Sequence, residues 1–155
     1  MSLQLSFFRL AACVLIAAGA FTAHAQSQHP VLTIKAESGA VQIRGDVSSS
    51  GNESILSDTA AQLFDTVDIE VRLPEQVPPG WSLLTELSLR AISQTRSANA
   101  RINATSITIQ GVTDDLTAYE QQLQRLRGAL LTGMTLDSRV AMIRRNGNLD
   151  AQCRQ

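Results

Sequence analysis

The sequence predicts an α+β fold, one mixed sheet of about six strands packed by three helices, and three observations predict it. Val41-Gln42-Ile43-Arg44-Gly45 is echoed 66 residues later by Ile107-Thr108-Ile109-Gln110-Gly111. Around each copy lie short runs that are apolar on one side and polar on the other, the pattern of half-buried strands. After each copy comes a segment whose apolar residues recur three and four apart, as a helix with one buried stripe requires. Such an internal repeat has to be settled before its parts are read.

Residues 1–25 read as a signal peptide. Arg9 precedes an apolar run from Leu10 to Phe21, and Ala23-His24-Ala25 carries the small-x-small pattern of a signal-peptidase site. That run is well short of the roughly 20 residues that span a bilayer. Cleavage is expected after Ala25, with Ala23 as the alternative. Leu10-Ala11-Ala12-Cys13 imitates a lipoprotein box, but the long apolar stretch lies downstream of it, which weighs against a lipid on Cys13. The expected location is the periplasm, with outer-membrane association as a further option.

Residues 26–30 form a polar leader. Leu32, Ile34 and Ala36 alternate with Val31, Thr33 and Lys35 in a first strand, Glu37-Ser38-Gly39 makes the turn, and Val41 and Ile43 carry the second strand to Gly45. A polar loop over Ser48 to Asn52 leads into a helix from Glu53 to about Phe64, with Leu56, Ala60, Leu63 and Phe64 as its stripe. Val67, Ile69, Val71 and Leu73 then alternate with Asp68, Glu70 and Arg72, until Pro74 ends that strand. These elements make residues 31–73 the first repeat.

Residues 74–80, with three prolines and a glycine, are a linker, and residues 81–145 form the second repeat. Its leading helix runs to about Arg96 behind an expected Ser82 N-cap, with Leu83, Leu84, Leu87, Ala91 and Ile92 on its apolar side. Trp81, just ahead of that cap, reads as a hydrophobic staple or an edge-of-core aromatic. Asn99 to Ala104 and Ile107 to Val112 make a second hairpin. Thr113-Asp114-Asp115 offers a cap and negative charge at the positive end of a helix carrying Leu116, Tyr119, Leu123, Leu126 and Leu130. Gly128 would let that helix approach the sheet, Gly133 would be its C-terminal cap, and Met134, Leu136, Val140 and Met142 mark the final strand. Residues 146–155 are a polar tail.

Composition narrows the function. Without Arg9 the chain has 12 basic and 14 acidic residues, with Lys35 the only lysine, so it lacks the gathered basic excess of a nucleic-acid binder. Beyond residue 25, Cys153 is the only cysteine, which leaves a dimer through Cys153 or an unpaired thiol in a frayed tail. His29 is the only histidine there, with no partner at metal-ligand spacing and a flexible position unsuited to a catalytic triad. Asp114-Asp115 reads as helix capping and not as paired catalytic carboxylates. Gly39, Gly45 and Gly51 do not form a phosphate-cradling loop. No catalytic, metal or cofactor site is expected. Arg144-Arg145, with Arg139 nearby, is the one basic cluster and the candidate surface contact, against a plainer reading as a solvated strand end.

Val41-x-Ile43-x-Gly45-x-Val47 and Ile107-x-Ile109-x-Gly111-x-Thr113, in the order strand, strand ending in Gly, helix, strand, resemble the BON domain, a small αββαβ unit of exported bacterial envelope proteins. The resemblance covers about Leu32 to Ile143, and the first copy departs from it in lacking the leading helix. Paired units of this kind precede a peptidoglycan-binding module in some proteins of the outer-membrane protein A family. The resemblance implies a non-enzymatic envelope module that contacts phospholipid or a protein partner. A structural spacer, or a fragment whose peptidoglycan-binding module is missing, is the alternative. Gly45 and Gly111 are expected to be structural, each ending a strand where the chain turns towards a helix.

Overall fold

The computed structural model describes residues 29–143. The signal-peptide segment with Ala23 and Ala25, Cys13, Arg144, Arg145, Cys153 and the polar tail lie outside the described residues.

The strands are β1 (Val31–Glu37), β2 (Ala40–Asp46), β3 (Thr66–Arg72), β4 (Ser97–Asn103), β5 (Ser106–Thr113) and β6 (Thr135–Met142). The helices are α1 (Ser50–Leu63), α2 (Trp81–Ile92) and α3 (Leu116–Gly128). The strands form one mixed sheet in the order β3-β2-β1-β4-β5-β6, so the α+β fold read from the sequence is the fold observed. Both hairpins are antiparallel, and β3 and β6 return parallel to β2 and β5 after a helical crossover.

The seam between the copies is the antiparallel pair β1·β4, in which Ile34 faces Ala100. Those two positions are themselves 66 residues apart, so the repeat spacing and the pairing register coincide. The copies are therefore related by a pseudo-twofold axis perpendicular to the sheet through that pair. The helix starts obey the same spacing. The Ser49 side chain accepts from the Asn52 N–H at the start of α1, and the Asp115 side chain accepts from the Ala118 N–H at the start of α3. Beyond α3 the spacing grows to 69, because Ala40 pairs with Thr66 whereas Ser106 pairs with Thr135.

All three helices cover one face. From below, Leu32, Ile34, Ile43, Ile102, Ile107 and Ile109 point into the core, and from above come Trp81, Leu84, Leu89, Ile92, Tyr119 and Leu126, all fully buried. Each such side chain contributes about 1.5–3 kcal/mol relative to exposure. Lying between α1 and α3 and over β1 and β4, α2 has no counterpart among the described residues of the first copy.

Several boundaries differ from expectation for identifiable reasons. Ser49, by capping, starts α1 at Ser50 and not at Glu53. At α2 the N-cap is Gly80, without a side-chain cap bond, and the helix ends at Ile92, well before Arg96. Trp81 is thus the first helical residue and sits inside the core, 1% exposed, with its Nε1–H donating to the Asp46 carbonyl over 2.9 Å. Gly128 makes no close approach, since a Cβ there would meet nothing within 4 Å. Nor does Gly133 cap α3, whose C-cap is Ala129; it forms the turn before β6.

The signature glycines lie inside β2 and β5, not at their ends. A Cβ on Gly45 would come within 2.1 Å of the Val31 carbonyl oxygen, and one on Gly111 within 2.3 Å of the Ser97 carbonyl oxygen. Val31 and Ser97 are the same position in the two copies, so one close backbone approach is built twice. Only Gly45 also needs positive φ, at 127°. In the first hairpin Ser38 and Gly39 have φ of 50° and 84°, the double left-handed conformation of a tight type I′ turn.

Candidate functional site

Because the helices take one face, the other face of the sheet is left open by the described residues, and its outward residues form rows across the strands. One row reads Glu70, Arg44, Thr33, Arg101, Thr108, Asp137, and the next reads Asp68, Gln42, Lys35, Asn99, Gln110, Arg139. Alternation on a pleated strand exposes them, since Leu32, Ile34, Ala100 and Ile102 take the opposite side.

The flanks of this face are electrically closed. Arg44 pairs with Asp68 and, over 3.1 Å, with Glu70. The Arg44 guanidinium, with help from the Gln42 amide, holds the Asp68 carboxyl below its ordinary range. Arg139 pairs with Asp137 over 3.0 Å. At one end Arg72 pairs with Asp46, a carboxylate that is almost fully buried and also accepts the Val31 N–H over 2.8 Å.

The centre is different. Lys35 and Arg101 are exposed, and among the described residues neither takes part in an ion pair. Arg101 lies opposite Thr33, and Lys35 lies opposite Asn99, which makes the two cations diagonal neighbours across the seam. Diagonal neighbours on an antiparallel pair are about 7–8 Å apart. Between them stand Thr33 and Asn99, and beside them Gln42, Thr108 and Gln110, all able to donate hydrogen bonds. Glu37 is the one acidic side chain on β1 and β4. A shallow depression of about 640 Å³ begins at Lys35, Asn99 and Gln110 and runs towards Ser97. Two cations at this spacing repel each other, and an oxyanion between them would neutralise both.

A second concavity, of about 170 Å³, lies where α1 and α2 begin. Ile55 and Leu83, each about half exposed, flank it, and its floor holds Ser48, Asn52 and Ser82, which are hydrogen-bonded together.

Of the candidate contact residues read from the sequence, only Arg139 lies among the described residues. Arg139 is committed to Asp137, while Arg144 and Arg145 lie outside the described residues. Asp114 pairs with Arg96 over 3.0 Å and Asp115 caps α3, so the two carboxylates have separate tasks. Sequence reading missed Lys35 and Arg101 as a pair. Their signal was the repeat itself, because they are 66 positions apart and therefore equivalent across the pseudo-twofold. No protein-family model matches the chain, and no curated protein matches it.

Proposed function

We propose that this protein is a non-enzymatic module of the bacterial cell envelope, exported to the periplasm, whose open sheet face binds anionic phospholipid headgroups. One observation carries the reading: Lys35 and Arg101 are symmetry-equivalent cations that, among the described residues, have no ion-pair partner, and apart from Glu37 the side chains next to them on β1 and β4 are neutral hydrogen-bond donors. The helix-strand-strand-helix-strand order of the second copy supports the resemblance to a BON domain. Export rests on the reading of residues 1–25 as a signal peptide.

Co-sedimentation with vesicles tests it. The protein should bind vesicles containing phosphatidylglycerol in preference to purely zwitterionic ones, and added salt should weaken the binding. A cation near an anionic surface is worth about 1 kcal/mol, so the double variant Lys35→Gln, Arg101→Gln should lose about 2 kcal/mol, roughly thirtyfold in affinity. Equal binding by that variant sinks the headgroup reading. A protein partner is the second reading, favoured by the half-exposed Ile55 and Leu83. The variant Ile55→Asp, Leu83→Asp should leave vesicle binding unchanged if the open face carries it.

A further inference from the structure

We propose that two copies of this chain associate through β6, edge to edge and antiparallel about Ser138, to give a continuous sheet twice as wide. Among the described residues nothing pairs with the outer side of β6, the last strand of the sheet. Along it, Thr135 and Ile143 direct their N–H groups to β5. Leu136, Ser138, Val140 and Met142 therefore turn their backbone donors and acceptors to the free edge, because the direction alternates along a strand.

This alternation limits which self-pairings a second copy can adopt, and charge selects among them. Centred on Asp137, the pairing opposes Asp137 to its own copy, and centred on Arg139 it opposes two arginines. Centred on Ser138 it opposes Asp137 to the partner's Arg139 twice, at the non-hydrogen-bonded positions where side chains come closest, so that the intrachain Asp137–Arg139 pairs of the two copies join in one cluster of alternating charge. On the helix side the same register sets the half-buried Leu136 against the partner's Val140, covering apolar surface that α3 leaves partly open. Ser138, at the axis, is small enough for close approach.

The opposite edge offers this complementarity only over a short overlap. In β3 the residues turned to the free side are Val67, Ile69 and Val71, since the Arg72 carbonyl and its alternates face β2. The self-pairings that bring Arg72 opposite an acid, centred on Glu70 or Val71, overlap only the last five or three residues of β3 and draw on an arginine already paired with Asp46. The one that overlaps the whole strand, centred on Ile69, opposes Asp68 to Glu70, and the one centred on Asp68 opposes Asp68 to itself. Like charges opposite one another protect an edge from association. The β6 pairing would repeat the operation the chain already performs inside itself at β1·β4, with the twofold perpendicular to the sheet. Both open faces would then point the same way.

Sedimentation velocity of the purified protein, with reductant present so that no disulfide contributes, tests the proposal. We expect a dimer of finite size. Each single reversal, Asp137→Arg or Arg139→Asp, creates two like-charge contacts and should weaken the dimer about tenfold. The double reversal restores complementarity and should restore the dimer. A wild-type monomer at high protein concentration overturns the proposal, and so does a dimer indifferent to the single reversals. Growth into open polymers would instead indicate β6 pairing with the partner's β3, and overturns it as well. Circular dichroism melting of each variant separates lost association from lost folding, and a folded double reversal that stays monomeric counts against the register.

Discussion

At the scale of single residues, Gly111 has a harder constraint than its φ, which is not positive. Its missing Cβ would sit 2.3 Å from the Ser97 carbonyl oxygen and 2.7 Å from the Ala98 Cβ, so the neighbouring strand itself would have to move. Gly111→Val should therefore cost about 1–3 kcal/mol, read as a drop in melting temperature. As a contrast, Gly128→Ala, at a site where nothing lies within 4 Å, should be neutral or stabilise by up to about 1 kcal/mol. A Gly111 variant as stable as wild type would show that β4 and β5 can separate freely. The repeated Gly was visible in the sequence, but its reason was not. A strand ending in Gly suggests a turn, whereas the constraint comes from a carbonyl on another strand, which no local pattern encodes.

Between elements, the bond that joins α3 to β6 makes a pH-dependent prediction. Tyr119 and Ser138 share a hydrogen bond of 2.7 Å, and the ring is almost fully buried. Burial raises the Tyr119 phenol above its ordinary value of 10.0, against the opposing effects of the Ser138 hydrogen bond and the Arg127 charge. A raised value means that the folded state holds this proton more tightly than the unfolded chain. The associated stability is then complete below pH ~10 and is lost as pH rises through the folded value. Tyr119 is the only tyrosine, so its phenolate absorbance reports the event directly. We expect ionisation above the free-tyrosine range, and an alkaline loss of melting temperature that is smaller in Tyr119→Phe. Ionisation at the free-tyrosine position would contradict the burial. The stripe of α3 was legible because Tyr119, Leu123 and Leu126 keep helical spacing. The start of α2 was not. Its cap is a left-handed glycine without a side-chain bond, and Ser82, the apparent cap, is drawn to Ser48 and Asn52 by tertiary contact.

For the whole molecule, strand alternation and three helix stripes made the six-strand sheet and its three helices legible, and the repeat implied that the copies join. The seam itself could not be read. The strands that meet at the centre, β1 and β4, pair over a long sequence separation, with α2 as a single helix touching both copies above them. Residues 31–73 alone would leave Leu32 and Ile34 on β1 without α2 above them and β1 without β4 beside it. A fragment of those residues should show no cooperative thermal transition by circular dichroism. A sharp transition would mean that each copy folds as its own domain.

The seam has a kinetic side. Every pair in β1·β4 joins residues 60 to 72 positions apart, whereas each hairpin closes over a turn of two residues. Closing a long loop carries an entropic penalty before any contact compensates it, and non-local pairing slows folding. The hairpins should thus form early and the central ladder late. In that interval β1 and β4 are unpaired edges of nearly equivalent units, each able to capture its counterpart on another molecule. The duplication that gives the native sheet its centre therefore also gives a crowded, half-folded population its main route to exchange between chains.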